Sequence, residues 1–449
     1  MISNNSIIYI QAVLILVLAF STSSGKSAQV KETCIEIAPV WSGHPVGFSL
    51  LSCPERQYVA FYNPDRQLTV GCRKYSETTW HFVKLPETVG WDSHNYITMA
   101  MDDNGCIHLC ANMHCSPLVY FRTTKPGDID SFERIPSMVG RDETKCTYPS
   151  FFRGPRGEFL FTYRFGSSGN GDQYFNIYDH KTKTWKRLMD APLTSGEGKM
   201  NAYFTGLRLY EDGYYHTAWV WRDEPDCSTN HDLSYARSKD LIHWETSDGK
   251  ALKLPITLST AEIVDPVPVK GGLLNGGVAI GLDSKKRLVI SYLKFDEHGY
   301  NQVYNARREA NGWKIYKTSS WEYRWEFSGT GSIPFEIRIG PIVVEKDGKL
   351  SQSYSHVKYG NGKWILDEEN FRILEDIRAT PVPKSDTSKD STRMLEPRYA
   401  NDLGSSGERG VRYQLRWETL SLNRDRPRDY HPSPSMLKLC RIESVPIDK

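Results

Sequence analysis

Apolar and polar positions alternate along most of this chain with a period of two, in short runs broken by Asp/Gly/Asn turns, and helical periodicity is nearly absent. The clearest case is residues 91–117, WDSHNYITMAMDDNGCIHLCANMHCSP. Ile97, Met99 and Met101 alternate on one side of the turn Asp102-Asp103-Asn104-Gly105, and Ile107, Leu109 and Ala111 on the other, which predicts one β-hairpin. The strand–turn–strand pattern returns at GPRGEFLFTYR (154–164), EDGYYHTAWVWR (211–222), DSKKRLVISYLKFD (283–296) and EKDGKLSQSYSH (345–356). Between these hairpins fall segments with a lone Trp that read as outer strands: TTWHFVKL (78–85), KTWKRL (183–188), LIHWET (241–246), NGWKIY (311–316) and GKWILD (362–367). Repeated four-stranded units, none able to bury both faces alone, are what a β-propeller needs. With room for one unit before residue 95 and one after 385, the fold class is all-β, a seven-bladed β-propeller. Residues 385–410 are polar and turn-rich and read as a long surface loop before closing strands around Tyr413 to Leu422.

The N-terminus departs from this pattern. Ile7 to Phe20 is a continuous apolar run followed by small polar residues, too short for a membrane span and suited to a secretory signal peptide over residues 1–28, although no Lys or Arg precedes it. The mature chain, 29–449, is then a single catalytic domain, secreted or periplasmic, with no membrane span and no Pro/Ser/Gly-rich linker to divide it. A formal net charge of +2 excludes the strong basic excess that nucleic-acid binding shows, so no nucleic acid is expected as partner. The nine cysteines are odd in number and widely spread, unlike a dense disulfide framework; export permits a disulfide or two.

The candidate chemistry gathers around the first hairpin. His94 and His114 bracket it and leave the sheet at the same edge, and imidazole is the side chain that moves protons near neutral pH. Tyr148 enters the next inner strand and Arg164 leaves its partner, just before the glycine-rich FGSSGNG (165–171), a loop that suits close approach of a ligand to backbone. Asn95, Tyr203 and Arg222 add an amide, an aromatic face and a second guanidinium. Such a surface fits an anionic polysaccharide, whose C–H faces stack on rings while carboxylate or sulfate pairs with Arg. A separate set, His216, Asp223, Cys227 and His231 in YYHTAWVWRDEPDCSTNHD, supplies four ligands of types that zinc accepts. A zinc held by all four would be structural, pinning the loop between Trp221 and Leu233, because no coordination position stays open.

The motifs WSGHPVGFSLL (41–51), GWDSHNYITMAMDDNG (90–105), NMHCSPLVYFR (112–122), TYPSFF (147–152), FTYRFGSSGNG (161–171), AWVWRD (218–223) and TNHDLSYARS (229–238) resemble those of the BNR-repeat propellers that include the ulvan lyases. The resemblance runs from about residue 38 to at least 370. It implies a polysaccharide lyase acting on a rhamnose- and uronate-containing polymer by β-elimination, with His94, His114, Tyr148 and Arg164 at the motif positions for catalysis. Elimination across C4–C5 of a uronate needs a neutralised carboxylate, a base for the C5 proton and an acid for O4, and these residue types meet those needs without a catalytic cofactor. Which of His94, His114 and Tyr148 is the base stays open at this stage. Relatives in the same superfamily act as α-L-rhamnosidases through a histidine on the opposite face, for which His44 is the candidate here, also as a substrate-binding residue. A non-catalytic glycan-binding propeller is the third reading. A monomer is expected.

Overall fold

The turn at Asp102 shows how side chains set the register. Its Oδ1 accepts from the backbone N–H of Asn104 and of Cys106, both at 2.9 Å, while Gly105 supplies the left-handed residue at φ +77°. The strands Thr98–Met101 and Ile107–Cys110 then pair Met99 with Leu109 and Met101 with Ile107, as the alternation predicts. The structure is a computed structural model that describes residues 28–379 and 394–446. Among these residues the fold is all-β, broken only by two short 3-10 turns, Ile129–Ser131 and Cys227–Thr229. Residues 1–27, which carry the expected signal peptide up to its last position, lie outside the described residues, and no described helix is long and apolar enough to cross a membrane.

The described residues fall into two compact units. One comprises 28–152, 178–186 and 394–446. It holds an antiparallel sheet in the order Ser49–Ser52, Arg56–Tyr62, Gln67–Lys74, His81–Thr88, and a second in the order Phe132–Arg134, Tyr120–Thr123, Ile107–Cys110, Thr98–Met101. Its third sheet joins the two ends of the chain: Ala28–Val40 pairs with Ser435–Pro446, followed by Val411–Thr419 and Glu396–Asn401. Register places Cys34 opposite Cys440, and the two form a disulfide. The loop expected over 385–410 is thus partly strand, because Glu396–Asn401 finds a ladder partner in Val411–Thr419. The core of this unit contains a satisfied histidine, His108, whose Nδ1 accepts from Tyr120 Oη (2.7 Å) and whose Nε2 meets Asp102 (3.2 Å) amid Tyr178 and Trp185. Burial brings its pKa down to about 4 despite Asp102, so the ring is neutral and structural.

The other unit comprises 153–177 and 187–379. Its sheets run Asn201–Leu209, Tyr215–Arg222, Asn230–Ser238, Trp244–Glu245; then Ala279–Leu282, Leu288–Phe295, Asn301–Glu309, Gly312–Lys317; then Ile337–Val344, Leu350–His356, Gly360–Leu366, Ile373–Arg378. The Trp364 segment is therefore third in its sheet rather than outermost, since Ile373–Arg378 adds a further ladder beyond it. Trp321, Trp325, Phe327, Tyr354 and Trp364 fill the core beside that last sheet. The glycine-rich stretch is a hairpin tip in which Ser167 pairs with Asn170. A Cβ at Gly169 would lie 2.6 Å from Glu224 Cα, and one at Gly166 2.3 Å from Asn170 O, so these glycines serve the chain's own packing where the sequence suggested a ligand approach.

Candidate active site

Both predicted histidines converge on one carboxylate. Asp92 Oδ1 accepts from the backbone N–H of His94 at 2.8 Å and meets His94 Nδ1 at 2.6 Å, while Asp92 Oδ2 accepts from His114 Nδ1. The two imidazoles stack, ring centroids 4.2 Å apart, and the Tyr148 ring lies edge-on to His94 at 5.6 Å. His94 sits in a turn closed by Asn95 N–H on Asp92 O (3.1 Å). His114 belongs to a different sheet from the hairpin, because it opens the strand His114–Ser116, which pairs with Cys146–Arg153.

Backbone strain gathers at the same place. The pairing of Cys146 with Ser116 and Thr147 with His114 leaves Cys115 bulged out. Asn112, Cys115 and Tyr148 all hold left-handed backbones at φ +55°, +53° and +58°. For a bulky residue such as Tyr this conformation costs about 1–2 kcal/mol, and bulges and left-handed residues re-aim side chains at functional sites. The strain is held by neighbours: Thr147 Oγ1 accepts from Cys115 N–H (2.8 Å), Asn112 Oδ1 from Gly90 N–H (3.0 Å), and Pro149 O from Tyr96 Oη (3.0 Å).

The electrostatics split the pair. Burial lowers the pKa of His94, and the nearby His114 adds to that, against Asp92. For His114, burial also lowers, but the hydrogen bonds with Asp92 and Cys115 prevail and raise it to about 9. Asp92 itself is pushed up by burial and pulled down further by both histidines, so it stays a carboxylate. Near neutral pH the centre therefore holds one neutral ring and one imidazolium on a shared anion. Both Nδ1 atoms are turned to Asp92, and the side chains of His94, His114 and Asp92 are 19%, 24% and 23% exposed. The three ligand atoms lie within 4.8 Å, close enough for a metal ion. Each Nδ1 is hydrogen-bonded directly to the Asp92 carboxylate.

Behind His94 lies a second layer. Asp425 Oδ2 is 3.9 Å from His94 Nδ1, and Asp425 Oδ1 accepts from Ser93 N–H (3.0 Å) and pairs with His44 Nε2 (3.0 Å). His44 is 1% exposed, and its ring lies 6.4 Å from that of Trp91. Its ring is enclosed, with Nε2 on the Asp425 carboxylate. Asn95 is likewise buried, its carbonyl accepting from Tyr62 Oη (2.8 Å) and Asn112 N–H (3.4 Å).

In the other unit Arg164, Tyr203 and Arg222 form one buried cluster. Arg164 donates to Tyr203 Oη at 3.3 Å, Tyr203 Oη meets Ser168 Oγ at 2.6 Å, and Arg222 reaches Ser168 Oγ (3.4 Å), Asn230 Oδ1 (2.9 Å) and Asn275 Oδ1. The Arg222 guanidinium lies over the Tyr203 ring, 4.1 Å from its centroid. Burial raises the Tyr203 phenol, yet Arg222 and Arg164 together bring it below its ordinary value.

The zinc set does not assemble. His216 pairs in register with Arg237 while His231 pairs with Trp221, which puts the two histidines five positions apart along the strand Tyr215–Arg222, about 16 Å. His216 is engaged by Tyr235 Oη (2.5 Å) and Asp212 (3.0 Å), His231 by Asp223 (3.0 Å) and Asp232 (2.8 Å), and Cys227 packs into the core with Leu274 and Trp321. Asp223 and His231 meet, as an ion pair.

A model of the BNR repeat-containing family matches residues 56–321, more than half of the chain. The chain belongs to the BNR repeat-containing family. The chain is 30% identical over 154 residues to an ulvan lyase, short isoform, of Alteromonas sp. (strain LOR), and 27% identical over 155 residues to an ulvan lyase, long isoform, of Glaciecola sp. (strain KUL10). These stretches cover 31% and 26% of this chain but only 27% and 15% of the two relatives. In fold it is similar to the crystal structure of polysaccharide lyase Uly1, with a TM-score of 0.59 at 14% identity over 94% of this chain and 100% of that one. It is similar also to an ulvan lyase of family PL25, at 0.57 and 13% over 90% and 95%.

Two acidic residues of this centre escaped sequence reasoning. Asp92 had a local signal, the Asp-x-His spacing that lets one carboxylate cap the His94 N–H and hold its ring. Asp425 had none, being 331 residues from His94 in a stretch of mixed Arg, Asp and Pro.

Proposed function

We propose that this protein is a secreted polysaccharide lyase, built as one seven-bladed propeller, that cleaves a rhamnose–uronate polymer of the ulvan type by β-elimination. The observation that carries the reading is the pair of stacked histidines bridged by Asp92. Six complete antiparallel sheets, with the strands between residues 114 and 187 as the seventh set, favour the blade count. Names among the similar proteins, including a PL25 ulvan lyase bound to -[GlcA(1-4)Rha3S]-, point to the substrate class.

In the proposed reaction, neutral His94, its Nδ1–H held by Asp92, accepts the C5 proton at Nε2. The C5–H electrons form the C4–C5 double bond, the C4–O4 bond breaks, and the departing O4 takes a proton from the His114 imidazolium, with the Tyr148 hydroxyl assisting at the same oxygen. Stacked rings tethered to one anion present base and acid from one side, which suits a sugar whose C5 hydrogen and O4 share a face. Solvent returns His94 and His114 to their starting states. Arg164, Arg222 and Tyr203, the bonded cationic cluster of the other unit, are assigned to binding anionic sugar. Side chains alone complete this chemistry, so a chelator is expected to leave turnover unchanged.

The test is incubation of the full chain with ulvan and other uronate polysaccharides while recording ultraviolet absorbance and free rhamnose. A rise in absorbance as chains shorten supports elimination, because the new double bond is conjugated with the carboxylate. Rhamnose release without absorbance, or polymer retardation without either product, would overturn it in favour of a hydrolase or a glycan-binding protein.

A further inference from the structure

We infer that Asp425 is a positioning residue for His94: the loop between Val411–Thr419 and Ser435–Pro446 inserts its carboxylate behind the base, 3.9 Å from Nδ1, where it favours the charge the ring takes up. This rests on the function proposed above, in which His94 removes the C5 proton.

The loop is built to deliver that carboxylate. Arg424 and Asp425 are consecutive non-glycine residues with left-handed backbones, φ +64° and +55°, a strained pair that persists only when surrounding contacts enforce it. The contacts are present: Leu420 N–H donates to Ser42 O and Ser42 Oγ to Ser433 O, each at 2.8 Å, and Arg428 donates to Ser421 O. At the tip, the Asp425 side chain is 6% exposed and bonds Ser93 N–H, one residue before His94, and His44 Nε2. Since His44 faces a carboxylate, Nε2 carries its proton and donates, making His44 a brace for Asp425. The result is one continuous run of alternating groups, His44, Asp425, His94, Asp92, His114.

Burying a second carboxylate so close to Asp92 is unfavourable for packing alone, because the two anions repel and each loses water. It is explained if the pair acts on the histidine between them. The groups facing His94 are Asp92 and Asp425, which favour its protonated form, His114, which disfavours it, and the Tyr148 ring. Those facing Asp425 are His44, Asp92 and His94. When His94 takes the C5 proton it becomes an imidazolium next to two anions, so Asp425 stabilises the charge that develops during the reaction.

The decisive experiment compares wild type with Asp425→Asn, Asp425→Glu and His44→Gln by NMR titration of the histidine rings and by the pH dependence of kcat and KM. Asp425→Asn is expected to lower the His94 midpoint by about half to one pH unit, since an anion that favoured protonation is gone. The acid limb of the rate profile shifts down with it, and kcat falls about tenfold or more while KM changes little. Asp425→Glu recovers part of kcat, and His44→Gln reproduces the shift in weaker form. Should Asp425→Asn fail to fold, His44→Gln carries the reading. A folded Asp425→Asn, or in its absence His44→Gln, with unaltered His94 titration and kcat would overturn the inference. The NMR titration needs no turnover, so a wild type that forms no unsaturated product defeats the lyase reading while the coupling of Asp425 to His94 is still decided.

Discussion

His94 lies stacked on His114, ring centroids 4.2 Å apart, and both hold the same carboxylate, Asp92. Two identical side chains thereby acquire different proton states, the condition that an acid–base pair needs at one pH. Asp92→Asn removes the anion but keeps the shape. Its expected outcome is a loss in kcat of about a hundredfold or more, with the alkaline limb moving down from about 9 as His114 loses its counter-charge. Absorbance assays across pH check both.

The wild-type rate profile follows from the same shifts. His94 is lowered, so its base form exists below the ordinary histidine midpoint, and His114 is raised, so its acid form survives to about 9. The expected profile of kcat/KM is a bell, rising with a midpoint under about 6.5 and falling near 9. A profile that rises through pH 8 without an alkaline limb would contradict the assignment of His114 as acid.

Tyr148 separates chemistry from strain. Tyr148→Phe keeps the buried ring and the left-handed backbone at φ +58° and loses only the hydroxyl, so melting temperature should stay within about 2 °C while turnover drops about a hundredfold. Tyr148→Gly relieves the backbone but empties the ring's place, and should lose activity together with stability. Calorimetry and absorbance assays on both variants distinguish the two contributions.

The Cys34–Cys440 disulfide closes 406 residues of chain between the first and last described strands. In the chain-entropy view such a cross-link is worth up to about 6 kcal/mol. Reduction, or a Cys34→Ser/Cys440→Ser pair, is expected to lower the melting temperature by several degrees without changing KM, since the site's own residues lie elsewhere in the unit. Thermal unfolding with and without reductant measures it.

Arg164→Lys is expected to recover little of the activity lost in Arg164→Ala, because an ammonium lacks the planar fork that grips a carboxylate. Arg222→Gln should raise the Tyr203 phenol toward its ordinary value, as the larger of the two lowering charges is removed. Ultraviolet difference titration of tyrosine reads the second effect, and the elimination assay the first.

What the sequence by itself determined is whatever depends on neighbours along the chain. Alternation of Ile97, Met99 and Met101 sets strand faces, and Asp102 and Gly105 set the turn, because strand period and turn chemistry are local. What only the tertiary structure decided is everything that joins distant segments. Pairing of Ala28–Val40 with Ser435–Pro446, the burial of His44 and the arrival of Asp425 beside His94 depend on loops and ladders spanning hundreds of residues, with no local signal to announce them. The zinc set fails for the complementary reason: ligand types close in sequence, from His216 to His231, are carried apart along a strand that rises about 3.3 Å per residue. The proton states of the two histidines belong to the same class, because charge follows burial and contact, which the linear order of residues does not contain.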